Sequence, residues 1–107
     1  MNLVQEKITE ILEDGGMNDK HKKRELIEIL KKACPKTENS KEFAKGKFED
    51  WVENYYNNQV SNIRLLEERK LVLKNLWNEE EEEDTFNEDM KRWKFIMIDV
   101  VNEIETS

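Results

Sequence analysis

The sequence predicts an all-α protein: a small bundle of four to five helices forming a single domain over residues 1–107. Three observations carry that expectation. Glycine occurs three times and proline once in 107 residues, too rarely for a β protein that must turn every few residues. Apolar residues recur at steps of three and four, the spacing of one helix face. Charged residues make up 40% of the chain and hydrophobic ones 36%, so a core requires the apolar side chains to be gathered on stripes. Helix breaks are expected near 14–18, 35–39, 57–61 and 83–85.

The first segment places Val4, Ile8, Ile11 and Leu12 at helical spacing with Glu6, Lys7 and Glu10 between them. Asp14, Gly15 and Gly16 follow, and a glycine in the left-handed conformation can close a helix there. Asn18 or Asp19 then caps a second helix whose inward face is Leu26, Ile27, Leu30, Ala33 and Cys34. Pro35 disfavours helical geometry at Cys34 and ends it. In the polar loop that follows, Asn39 and Glu42 have the spacing of a capping box built on asparagine.

From there to Glu83 no residue forbids one long helix. Residues 57–62, Asn-Asn-Gln-Val-Ser-Asn, are nonetheless poor helix formers and good caps, which favours two helices with a break. The first carries Phe43, Phe48, Trp51, Val52, Tyr55 and Tyr56, and the second Ile63, Leu66, Leu73, Leu76 and Trp77. The last segment opens with Thr85-Phe86-Asn87-Glu88, an S/T-x-x-E capping box. Phe86, Met90, Trp93, Met97, Val100 and Ile104 then form a heptad-like seam. Residues 94–101 have strand-like β-branched content, but no partner strand appears elsewhere to satisfy a lone strand's backbone. Phe95, Ile96 and Ile98 crowd beside the seam, so this helix is expected at the centre of the bundle, packed on the two middle helices.

Charge is distributed unevenly. The chain carries −7, yet residues 79–90 alone carry −8, and residues 19–36 carry +4. The molecule is therefore nearly neutral, with one acidic pole and one basic helix. The acidic pole comprises Glu79, Glu80, Glu81, Glu82, Glu83, Asp84, Glu88 and Asp89. It can be a solvated join between helices, since acids ahead of a helix start are favoured by its dipole. It can equally dock on a basic groove, imitating the phosphates of a nucleic acid, since such fields steer encounter. The same acids sit unfavourably at the end of the preceding helix, which should fray by residues 80–83.

Other candidates follow from residue type. Lys20, Lys22, Lys23, Arg24, Lys31 and Lys32 are the candidate phosphate-binding set. Base reading is not expected of them, because arginine, asparagine and glutamine do that work and only Arg24 is present. Trp51, Tyr55 and Tyr56 can form a stacking platform or binding hot spot, with Tyr56 the one expected to be exposed. One histidine and one cysteine cannot build a Cys/His zinc site, and neither acidic stretch has the alternation of a calcium loop. No metal or cofactor is expected. His21 has no nucleophile or orienting acid beside it in sequence, and no catalytic grouping is visible.

No apolar run approaches the roughly 20 residues of a membrane span. The N-terminal residues lack the features of a secretory signal and Cys34 has no disulfide partner, which together lead us to expect a cytoplasmic protein. The expected function is that of a non-enzymatic interaction protein, an inhibitor or regulator of the kind common in phages and mobile elements. It would bind a nucleic-acid-handling protein through its acidic surface. The alternatives are a nucleic-acid-binding subunit using the basic helix, or a homodimer joined along Met90, Trp93 and Met97.

Overall fold

The computed structural model describes residues 3–58, 63–80 and 88–104, and within them the chain forms five helices and no strand. They are α1 (Leu3–Leu12), α2 (Asp19–Ala33), α3 (Ser40–Asn57), α4 (Ile63–Asn75) and α5 (Glu88–Glu103). The Thr85 cap and Phe86 of the expected capping box lie outside the described residues.

Side chains, not left-handed glycines, make the first turn. The Asp14 carboxylate accepts the Gly16 N–H at 2.8 Å, and neither Gly15 nor Gly16 takes a positive φ. A local Asx turn therefore does the work expected of a glycine cap. Asn18 caps α2, its Oδ1 accepting the His21 N–H at 2.8 Å. At the other end Cys34 is extended, with φ −66° and ψ 125°, as the following proline requires. Cys34 is half-buried rather than buried, its Sγ near the carbonyls of Pro35 and Glu38. Asn39 caps α3 by accepting from Lys41 and Glu42. This is the asparagine half of the expected capping box.

Helix α5 is buried on several sides: Met90, Trp93, Lys94, Ile96, Met97, Ile98, Val100 and Val101 are all inside. Each large apolar side chain so enclosed contributes about 1.5–3 kcal/mol over an exposed one. The expected centre of the bundle is confirmed, and of its two expected neighbours α3 is one, while α2 takes the place of α4. α5 lies chiefly on α2 and α3, α1 bridges α2 and α3, and α4 packs on α3. The seam Met90, Trp93 and Met97 is filled from within the same chain, so it cannot also join two copies.

The second correction concerns α4. Ile63 and Leu66, expected inward, are 77% and 40% exposed. Val72 and, just past the helix, Leu76 are the buried ones, with Leu65 and Leu73 partly covered. The helix is rotated because two of its charged residues reach inward to α3. Glu68 accepts the Tyr56 hydroxyl at 2.9 Å, and the Arg69 guanidinium donates to the Asn57 side-chain Oδ1 at 2.6 Å. α4 ends at Asn75 and gives way to a turn at Leu76 and Trp77, earlier than the fraying expected at residues 80–83.

Candidate interaction surface

The sequence places six cations in the phosphate-binding set, and folding removes two of them from that role. Lys22 is 3% exposed, its ammonium donating to the Leu12 carbonyl at 2.8 Å. The Leu12 oxygen also accepts the Trp93 indole N–H at 2.9 Å. Lys22 thus closes the C-terminal end of α1, where orphan carbonyls need donors. Lys23 pairs with Asp99 of α5 at 2.5 Å, and that hydrogen bond raises the lysine's pKa. Lys20, Arg24, Lys31 and Lys32 remain exposed. Lys20 and Arg24 border a groove of about 430 Å³ that Lys23, Ile27 and Glu103 complete. Of the six cations that the sequence offers as a phosphate-binding set, four are therefore exposed and outside these two contacts.

The aromatic platform is corrected as well. Tyr56 is 3% exposed, under α4, and its hydroxyl is held by Glu68. Burial, then Glu68, push its pKa far above the ordinary tyrosine range. Trp51 is buried too, its N–H donating to the Thr9 hydroxyl at 3.0 Å. Tyr55 is the reachable member. It stacks on Trp51 with ring centroids 5.5 Å apart and meets the edge of Trp93 at 5.5 Å. The wide apolar face of α3 is accommodated because α3 packs against α1, α4 and α5 at once.

Tyr55 stands between two clefts. One, of about 400 Å³, is bordered by Glu13, Asp14, Lys22, Asp89, Arg92 and Trp93 among others. The other, of about 350 Å³, includes Glu6, Thr9, Glu13, Trp51 and Asn54. Glu13 and Tyr55 are common to both. Asp89, a member of the acidic pole, is thereby joined by three acids more than seventy residues away in sequence. Both cations at this place are engaged: Lys22 by the Leu12 carbonyl, and Arg92 by Asp19, whose Oδ1 accepts from Nε at 3.0 Å and an Nη at 2.8 Å. The Asp19 hydrogen bond and charge raise the Arg92 pKa. Among the described residues, Glu6, Glu13, Glu88 and Asp89 are in no ion pair.

The rest of the acidic pole is divided. Glu79 accepts the Asn102 amide N–H at 3.1 Å, fastening the start of the run to the C-terminal part of α5. Glu80 is exposed, with its backbone N–H on the Asn78 side chain at 3.0 Å. Glu88 and Asp89 occupy the first turn of α5, where the helix dipole favours them. Glu81, Glu82, Glu83 and Asp84 lie outside the described residues. The sequence offers Tyr55 only as a platform member beside Tyr56, and it gives no sign of Glu6, Glu13 and Asp14, because the α1–α2 turn meets α5 only in the folded chain.

Among the described residues, no group of three or more histidines, cysteines or acids is arranged to hold a metal ion. No described helix is long and apolar enough to cross a membrane. No family model, curated protein or solved structure matches this chain.

Proposed function

We propose that the chain is a non-enzymatic interaction protein that presents an acidic surface to a basic groove on another protein, acting as an inhibitor or regulator. A groove that ordinarily holds nucleic acid is the partner chemistry that fits such a surface. The observation that carries this reading is the segregation of charge in the fold. Lys22, Lys23 and Arg92 are engaged within the chain, whereas Glu6, Glu13, Glu80, Glu88 and Asp89 face solvent. Tyr55 supplies an aromatic anchor among the acids, and tyrosine is enriched in binding hot spots. Exposed carboxylates gathered in this way steer association with a cationic partner.

The experiment is a competition. Labelled duplex DNA is bound to the heparin-retained protein fraction of the host, and the chain is titrated in at low and at moderate salt. Displacement at low salt that weakens as salt rises is expected. The fourfold variant Glu80→Lys, Glu82→Lys, Glu88→Lys, Asp89→Lys should lose it. Equal competition by that variant would end this reading. Direct retardation of the DNA by the chain itself would instead favour nucleic-acid binding through Lys20, Arg24, Lys31 and Lys32.

A further inference from the structure

We propose that the groove between α1 and α3 receives an arginine side chain of the partner protein, its guanidinium lying between Glu13 and the Tyr55 ring. The inference rests on the reading of an acidic surface that meets a cationic partner, and adds which cationic group that surface takes and where. The groove has a volume of about 350 Å³ and no lysine, arginine or histidine borders it.

Hydrogen bonding identifies the ligand. Three donors of this lining are turned inward by the fold. The Gln5 amide N–H donates to the Lys47 carbonyl at 3.1 Å, the Thr9 hydroxyl to the Gln5 carbonyl at 3.0 Å, and the Trp51 indole N–H to the Thr9 hydroxyl at 3.0 Å. The bond to Lys47 fixes which way the Gln5 amide faces. Its buried Oε1 then accepts no hydrogen bond among the described residues, and a buried acceptor so left is costly. Glu6 and Glu13, both exposed and in no ion pair among the described residues, add two carboxylates. Half-buried Tyr55 adds an aromatic ring. The complement to such a lining is a flat cation rich in donors. A guanidinium has five N–H donors, a permanent charge and a planar face that stacks on aromatic rings. An ammonium has three donors and no planar face, and it holds its hydration more strongly.

The probe is the capped tripeptide acetyl-Gly-Arg-Gly-amide, compared with acetyl-Gly-Lys-Gly-amide. Each is titrated at low salt into the full isotope-labelled chain, and amide and indole resonances are followed by NMR. The arginine peptide should bind with a dissociation constant on the order of 1 mM, the scale of a single side chain. It should move the Trp51 indole, the Gln5 side-chain amide and the backbone amides around Glu13 and Tyr55 together. The lysine peptide should bind about fivefold more weakly. Glu13→Gln and Tyr55→Leu should each weaken the arginine peptide about threefold or more. Glu28→Gln, which removes the same charge from an exposed position on α2, should not. Equal affinity for the two peptides, or an arginine response indifferent to Glu13→Gln and Tyr55→Leu, would overturn the proposal. If the arginine peptide moves none of these resonances while the competition with DNA succeeds, the arginine site falls and the acidic surface stands. If the peptide binds as stated and the competition fails, the site stands and the nucleic-acid-handling partner falls.

Discussion

Single residues show how far local pattern and final role can part. Lys22 reads in sequence as one cation of a basic cluster, yet it is a buried cap on the Leu12 carbonyl, shared with Trp93. Two donors on one acceptor make its loss partly redundant. Lys22→Met and Trp93→Phe each leave the oxygen one donor, while the double variant leaves none. In urea denaturation the double should therefore exceed the sum of the singles by about 1 kcal/mol, the cost of an orphaned buried acceptor. Nothing in residues 20–24 distinguishes Lys22 from Lys20, because its partner sits ten positions back on another helix. Tyr56 was misjudged for the same reason: its partner Glu68 belongs to the next helix. Tyr56→Phe should cost about 1.5 kcal/mol at neutral pH, as a hydrogen bond to a carboxylate is removed. The pH dependence has a definite sign. Burial and Glu68 raise the Tyr56 pKa in the folded state above its ordinary 10.0, so the folded chain keeps a proton that the unfolded chain gives up. Its stabilisation is complete below about pH 10 and is lost as pH rises beyond that toward the folded value. Lys23, raised by Asp99 from 10.5, acts with the same sign in the same alkaline range. Wild type should lose stability above about pH 10 and approach Tyr56→Phe, followed by denaturation midpoints across that range.

Among the elements, α5 was the most legible and α4 the least. The α5 seam recurs at steps of four and three, and of the flanking Phe95, Ile96 and Ile98 the two isoleucines are buried as expected while Phe95 is exposed. Its capacity to hold Lys94 inside was not legible, since a lysine at that spacing reads as a solvent marker. The asparagine caps and the Pro35 stop act within a few residues, which is why three helix ends could be placed from sequence. α4 carries aliphatic residues on two faces, so periodicity alone offers two rotations of the helix. Glu68 and Arg69 decide between them through Tyr56 and Asn57. The observed rotation can be checked by truncation. Val72→Ala removes fully buried methyl groups and should cost about 2 kcal/mol. Ile63→Ala and Leu66→Ala, at exposed positions, should each cost less than about 0.5 kcal/mol. Comparable losses at all three positions would mean that α4 presents its other face to α3.

At the scale of the whole molecule, charge is the property that sequence conveyed best and geometry changed most. The excess of acid in residues 79–90 is plain from the sequence, but not the addition of Glu6, Glu13 and Asp14 beside Asp89 across the Tyr55 clefts. That convergence needs the α1–α2 turn to meet α5, a long-range contact with no local signature. It has an energetic consequence separate from any partner. Like charges at one pole repel, and added salt should relieve the repulsion, since the screening length falls from about 30 Å at 0.01 M to about 10 Å at 0.1 M. Salt also weakens Lys23–Asp99 and Arg92–Asp19, which would act the other way. Those pairs are substantially exposed, and exposed pairs contribute at most about 1 kcal/mol each. The acid excess is larger and draws on many pairwise repulsions, so relief should win. Raising ionic strength from about 0.01 to about 0.2 M should lift the midpoint of thermal unfolding by about 2–5 °C. Glu80→Lys, Glu88→Lys and Asp89→Lys together should remove or invert that response, whatever the lysines cost at the α5 N-terminus. An unchanged salt response in the triple variant would mean that these acids do not repel one another in the folded chain, and would remove the electrostatic basis for the acidic surface as a unit.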